Sequence, residues 1–184
     1  TRCLSDWSSD VCSSDLIADL LNPRGQHGAG AEYLKIFLRD CLGMEKMDTK
    51  LADQAIVTAE YAIDDERRID IVIEIGSYFL PVEVKIYAAD QKSQCFDYYQ
   101  YAKRRDAQAK VYYLTLDGHR PGKDSTSSGS QSVPEEDIVC LSFRVHILNW
   151  LKACKSCENT GMVPILEQFI QNIEIGRASC RERV

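Results

Sequence analysis

The chain has 184 residues, of which 45% are hydrophobic and 27% charged, with a formal net charge of −6. That is enough apolar material for one domain of ordinary size. The acidic balance excludes a protein that coats nucleic acid through its overall field, and no run approaches the ~20 apolar residues of a membrane span.

Both ends look foreign. Residues 6–16 and 174–184 read like translated sequencing adapters, so 1–16 and 174–184 are set apart as non-native tails, and the domain is expected over 17–173, as a piece of a longer protein. Without Cys3, Cys12 and Cys180, the remaining cysteines are Cys41, Cys95, Cys140, Cys154 and Cys157, scattered through apolar segments. A reducing compartment uses cysteine in this way, which points to the cytoplasm. Cys154-Lys-Ser-Cys157 has zinc-ligand spacing, but no second pair follows it, and it reads as the end of an amphipathic helix. No secretory signal is visible at the N-terminus.

Taken in chain order, Ile17 to Asn22 reads as the end of a helix, followed by a turn-rich break with Pro23, Gly25, Gly28 and Gly30. Leu34, Phe37, Leu38, Cys41 and Leu42 recur at helical spacing, and Gly43 is a stop signal. Gln54 to Ile63 alternates as a strand, and Asp64 to Arg67 forms a charged turn. Arg68 to Ile75 and Tyr78 to Tyr87 are two strands joined by a tight turn at Gly76-Ser77, which makes an antiparallel meander. Gln91 to Ala107 is expected to be a helix, and Lys110 to Leu116 a strand. Residues 117 to 136 hold serine, glycine and proline with almost no apolar side chains, so a mobile surface loop without a core is expected. A strand at Asp137 to Phe143 and helices at Arg144 to Cys157 and Pro164 to Ile173 complete an α/β sandwich around a mixed sheet.

The chemistry concentrates in two strands. Alternation puts Glu83 and Lys85 on one face, between the apolar Val82, Val84 and Ile86. A carboxylate and an ammonium in an oily strand are costly unless paired or used. Asp70 lies in the preceding oily strand, one hairpin away. Two carboxylates and a lysine are thus within reach of one divalent cation. The commonplace alternative is a cross-strand ion pair on a half-exposed sheet.

Ile69-Asp70, a gap, then Glu83-Val84-Lys85 resembles the PD-(D/E)xK nuclease superfamily, with isoleucine where that family often has proline. Gln94-Cys-Phe-Asp-Tyr98 is similar to the Q-x-x-x-Y element on the following helix. The stretch from Leu20-Leu-Asn-Pro-Arg-Gly-Gln-His-Gly28 through Tyr113-Leu-Thr-Leu-Asp-Gly118 is similar to a bacterial subfamily of unassigned biological role. The resemblance implies a restriction-endonuclease-like fold and hydrolysis of phosphodiester bonds in DNA. It implies Mg2+ (or Mn2+) on Asp70, Glu83 and the Val84 carbonyl, with Lys85 orienting the attacking water and Gln94 and Tyr98 facing the site. A further acid, as many members have, falls on Glu32, with Glu60 its rival. Gln91 competes for the glutamine role.

Other residues carry weaker expectations. Tyr98, Tyr99 and Tyr101 could stack on bases or simply pack, and His27 could approach a phosphate. Arg68 is the best phosphate candidate among Arg67, Arg68 and the 103–105 cluster, and His119 and His146 have no chemical context. The rival to an enzyme is a nucleic-acid-binding or protein-interaction module that keeps the fold without catalysis. No G-x-S-x-G supports a serine hydrolase, and no phosphate-cradling glycine loop is present.

Overall fold

The computed structural model describes residues 10–45, 47–157 and 161–181. Its centre is a five-stranded mixed sheet of β1 (Ile56–Ala62), β2 (Arg68–Ile75), β3 (Tyr78–Lys85), β4 (Val111–Thr115) and β7 (Ile138–Ser142). They lie in the order β1-β2-β3-β4-β7. The expected meander of β1, β2 and β3 is antiparallel, and β4 and β7 then add parallel to β3. Pro81 is tolerated in an interior strand because the β3–β4 ladder starts only at Val82↔Tyr112.

Alternation along the strands separates two layers. Ile71, Ile73, Val82, Val84, Tyr112 and Leu114 face one main core. Helices α1 (Asp10–Leu21), α2 (Glu32–Asp40), α6 (Leu148–Lys155) and α7 (Val163–Arg181) supply its other half. Trp150 joins α6 to α2: it is fully buried, edge-on to Phe37 at 5.3 Å, and its Nε1 donates to the Tyr33 carbonyl at 2.8 Å. Val72, Phe79, Val111 and Tyr113 face the opposite way, against α4 (Gln94–Arg105). The result is a restriction-endonuclease-like α/β sandwich.

Several bounds differ from the sequence expectation. Helix α1 starts at Asp10, inside the stretch set apart as a tail, and Ser13 and Ser14 are buried in its described part. A one-turn helix, α3 (Thr49–Ala52), is capped by the Asp48 carboxylate on the Lys50 amide. β3 ends at Lys85 rather than Tyr87. Residues 117–136 do pack: α5 (Lys123–Thr126) and the small hairpin β5 (Ser127–Ser128) and β6 (Gln131–Ser132) bring Val133 against Cys95, Phe96 and Tyr113. Burying one valine, with Ser125 on the Cys95 amide, gives the segment an anchor that its composition hides. The expected helix from Arg144 opens with a π-helical turn, Phe143–Ile147, before α6.

Candidate active site

β2 and β3 pair from Ile71↔Val82 to Ile75↔Tyr78, so Asp70 and Glu83 are the next opposed residues and share the α4 face. There the Asp70 carboxylate accepts the Val84 amide at 2.7 Å. The acid on β2 is thereby fixed to the peptide between Glu83 and Lys85. Asp70 is half-buried, whereas Glu83 is only 1% exposed.

One oxygen of Glu83 is fully engaged. Its Oε1 accepts from Lys85 Nζ at 2.6 Å and from Gln94 Nε2 at 2.8 Å. Its Oε2 is buried with no hydrogen-bond donor. Burial, then the charge of Asp70, push the Glu83 carboxyl up to about 8, against the pull of Lys85. Burial alone would lower Lys85, but Glu83 and Asp70 outweigh it and hold the ammonium above its ordinary range. A buried oxygen that no donor reaches, on a carboxyl held protonated by burial and a facing carboxylate, is a point where a cation can take the proton's place. The donor set fits a hard divalent cation, which takes oxygen ligands and often only one or two carboxylates.

Helix α4 holds this arrangement from the side. Gln94 Nε2 also meets the Tyr98 hydroxyl at 3.0 Å, and Tyr98 donates to the Arg68 carbonyl. Gln94 and Tyr98, one helical turn apart, therefore tie Glu83 on β3 to the strand that carries Asp70. Gln91 does not take this place, because its side-chain carbonyl accepts from Arg67 Nη1 at 2.7 Å.

The other candidates lie elsewhere. Glu32 is on α2, against the opposite face of the sheet, and bonds Lys35 at 3.0 Å. Glu60 falls opposite Asp70, between Ala59↔Ile71 and Tyr61↔Ile69, in a left-handed conformation with φ 51°. Its carboxylate turns to Arg68 at 3.2 Å. Among the described residues no three His, Cys, Asp or Glu side chains stand close enough to hold a metal ion. Asp70 and Glu83 are brought together without a third acid.

His27 is buried in its own turn, with Nε2 on the Asn22 carbonyl at 2.9 Å and Nδ1 accepting the Ala29 amide at 3.0 Å. Both ring nitrogens are used there, which removes it as a phosphate contact. Gly25 has no room for a side chain beside it, since a Cβ would lie 2.4 Å from the Asp19 carbonyl. Arg67 spends its guanidinium on Asp97, Gln91 and the Lys92 carbonyl. Lys103 pairs with Asp137, and Arg105 with Glu74. Arg68 remains 65% exposed next to Asp70. Tyr98 is buried, and Tyr101 bonds the Tyr61 hydroxyl, so this tyrosine cluster packs the helix.

Sequence reasoning missed two neighbours of the site. Tyr113 is the register partner of Glu83, and its hydroxyl donates to Asp90 at 2.7 Å. His119, given no context by the sequence, is paired to Asp117 and edge-on to Tyr113. Only the parallel register of β4 on β3 reveals either.

Residues 6–171 match the family model of the PD-(D/E)XK nuclease superfamily. No curated protein and no solved structure gives a significant match.

Proposed function

The chain belongs to the PD-(D/E)XK nuclease superfamily, and on that premise we propose that it is a metal-dependent nuclease that hydrolyses phosphodiester bonds in DNA. Asp70, Glu83 and the Val84 carbonyl would hold Mg2+, with Mn2+ able to replace it. The observation that carries this reading is the buried, donorless Glu83 Oε2 beside the Asp70 carboxylate. A cation bound there supplies charge for the phosphate oxygens and a lower pKa for attacking water. Lys85 keeps its proton beside Glu83 and positions the attacking water or a nonbridging phosphate oxygen. Gln94 and Tyr98 orient Glu83 from α4. Among the described residues no helix is long and apolar enough to cross a membrane. The free thiols of Cys41, Cys95, Cys140, Cys154 and Cys157 support action in the cytoplasm.

A second reading, a binding module without catalysis, is favoured by one observation: Glu83 is already compensated by Lys85 and Gln94 and is almost fully buried. Incubating the purified chain with Mg2+ or Mn2+ and a panel of DNA and RNA substrates separates the two. We expect DNA cleavage that disappears in Asp70→Ala and Lys85→Ala; an intact panel would reject the nuclease reading.

A further inference from the structure

Residues 86–93 carry the chain from Lys85 on β3 to Gln94 on α4, so they set where the Gln94 amide meets Glu83. The Gln94 side chain is held at both ends. Its Nε2 donates to Glu83 Oε1 at 2.8 Å, and its Oε1 accepts the Gln91 amide at 3.4 Å. The second bond turns the donor end of the side chain toward Glu83. With Lys85 and Gln94 both on Oε1, the Glu83 carboxyl cannot rotate freely, and the place of its buried Oε2 is fixed as well.

Ser93 stands at the N-cap of α4 but does not cap it. An N-cap serine normally has extended backbone and accepts an amide of the first turn. Ser93 instead has φ 57° and makes no such bond. Left-handed backbone is unfavourable for an L-residue, and here it is held from outside the helix. The Ser93 amide donates to the Asp124 carbonyl at 2.7 Å, and its hydroxyl donates to the Ser127 carbonyl at 2.8 Å. The pattern repeats on either side. Asp90 Oδ2 accepts the Gly122 amide at 2.7 Å, and a Cβ on Gly122 would lie 3.3 Å from that oxygen. The Cys95 amide donates to the hydroxyl of the fully buried Ser125 at 3.3 Å. Residues 90, 93 and 95 are thus laid along 122–127, with Gln94 between two of the bonded residues. The other Asp90 oxygen accepts from Tyr113, the register partner of Glu83.

We propose that residues 122–127 brace the metal site, and that Ser93 is the positioning residue through which they set Gln94 against Glu83. The effect on the cation rests on the nuclease reading; the brace itself rests on the hydrogen bonds between the two segments.

The test substitutes Ser93 in the full chain. Ser93→Gly removes the hydroxyl but suits a left-handed backbone, so Tm should change little. Two readouts then follow Gln94. Calorimetric titration with Mg2+ should give a Kd about tenfold higher, the lower end of what metal sites lose with a supporting residue. Without metal, exchange of the Gln94 side-chain amide protons, followed by NMR, should quicken about tenfold as the contact opens more often. The backbone amide of the buried Leu114 should stay protected. Ser125→Ala, which loosens the same contact from the other segment, should move both readouts in the same direction. In a Gln94→Ala background, Ser93→Gly should leave the Mg2+ Kd unchanged, because its effect passes through Gln94. Unchanged proton exchange in both Ser93→Gly and Ser125→Ala overturns the brace. An equal rise in Kd with and without Gln94 also overturns it, since Ser93 then acts by another route. A wild type that binds no Mg2+ and cuts no DNA removes the nuclease reading, and proton exchange alone then decides the brace.

Discussion

The Asp70 carboxylate accepts the backbone amide of Val84 at 2.7 Å, where the β2–β3 ladder gives way to side chains. One residue therefore closes the sheet and presents a negative charge to Glu83. The two roles separate by substitution. Asp70→Asn can keep the bond to Val84 and should lose less than about 1 kcal/mol of stability, whereas Asp70→Ala leaves a buried amide unmet and should lose about 1–3 kcal/mol. Chemical denaturation measures both, and equal losses would mean that the hydrogen bond carries no weight.

The buried Glu83 makes stability depend on pH. Its folded pKa of about 8 lies above the ordinary 4.5, so the folded state holds a proton that the unfolded chain has released. Stability is then greatest below pH 4.5 for this group and falls as pH rises toward about 8, where the ionised form bears its full burial cost. Glu83→Gln should flatten that fall and raise Tm at pH 8, since its amide N–H can face Asp70. A wild-type stability curve with no decline across this window would contradict the raised pKa.

Tyr98 is a positioning residue. Tyr98→Phe removes the hydroxyl that links Gln94 to the Arg68 carbonyl and should cost about 1–3 kcal/mol, because buried partners are left unmet. We expect kcat to fall with KM nearly unchanged, since the hydroxyl orients Glu83 and touches no substrate. A rise in KM with kcat preserved would instead place Tyr98 on the substrate.

Glu60 sits in a left-handed backbone conformation that costs an L-residue roughly 1–2 kcal/mol. Its exposed ion pair with Arg68 returns at most about 1 kcal/mol. Glu60→Gly should therefore leave the protein as stable or up to about 1 kcal/mol more stable. Loss of Mg2+ affinity in this variant would give the carboxylate a functional use.

The sequence made the α4-facing half of the site legible because β2 and β3 alternate cleanly and a short turn fixes their order. Asp70, Glu83 and Lys85 could be placed on one face from that alternation, and Gln94 and Tyr98 from helical spacing. Glu32 could not be separated from Asp70 without knowing that α2 covers the other face of the sheet. Parallel pairing leaves no local trace, so Tyr113, Asp117 and His119 stayed hidden until β4 was set against β3. The packing of residues 117–136 was equally unreadable, because its anchors are single contacts: Val133 in a small cluster, the Asp90 carboxylate on the Gly122 amide, and Asp124 on Ser93.

Calorimetric titration with Mg2+ at pH 7, repeated in buffers of different ionisation enthalpy, tests the metal centre most directly. We expect one cation to bind the wild type with release of a proton, as the ion displaces the one held by Glu83. Binding should be lost in Asp70→Asn, and proton release in Glu83→Gln. Absent binding, or binding indifferent to both substitutions, would contradict a cation seated between Asp70 and Glu83.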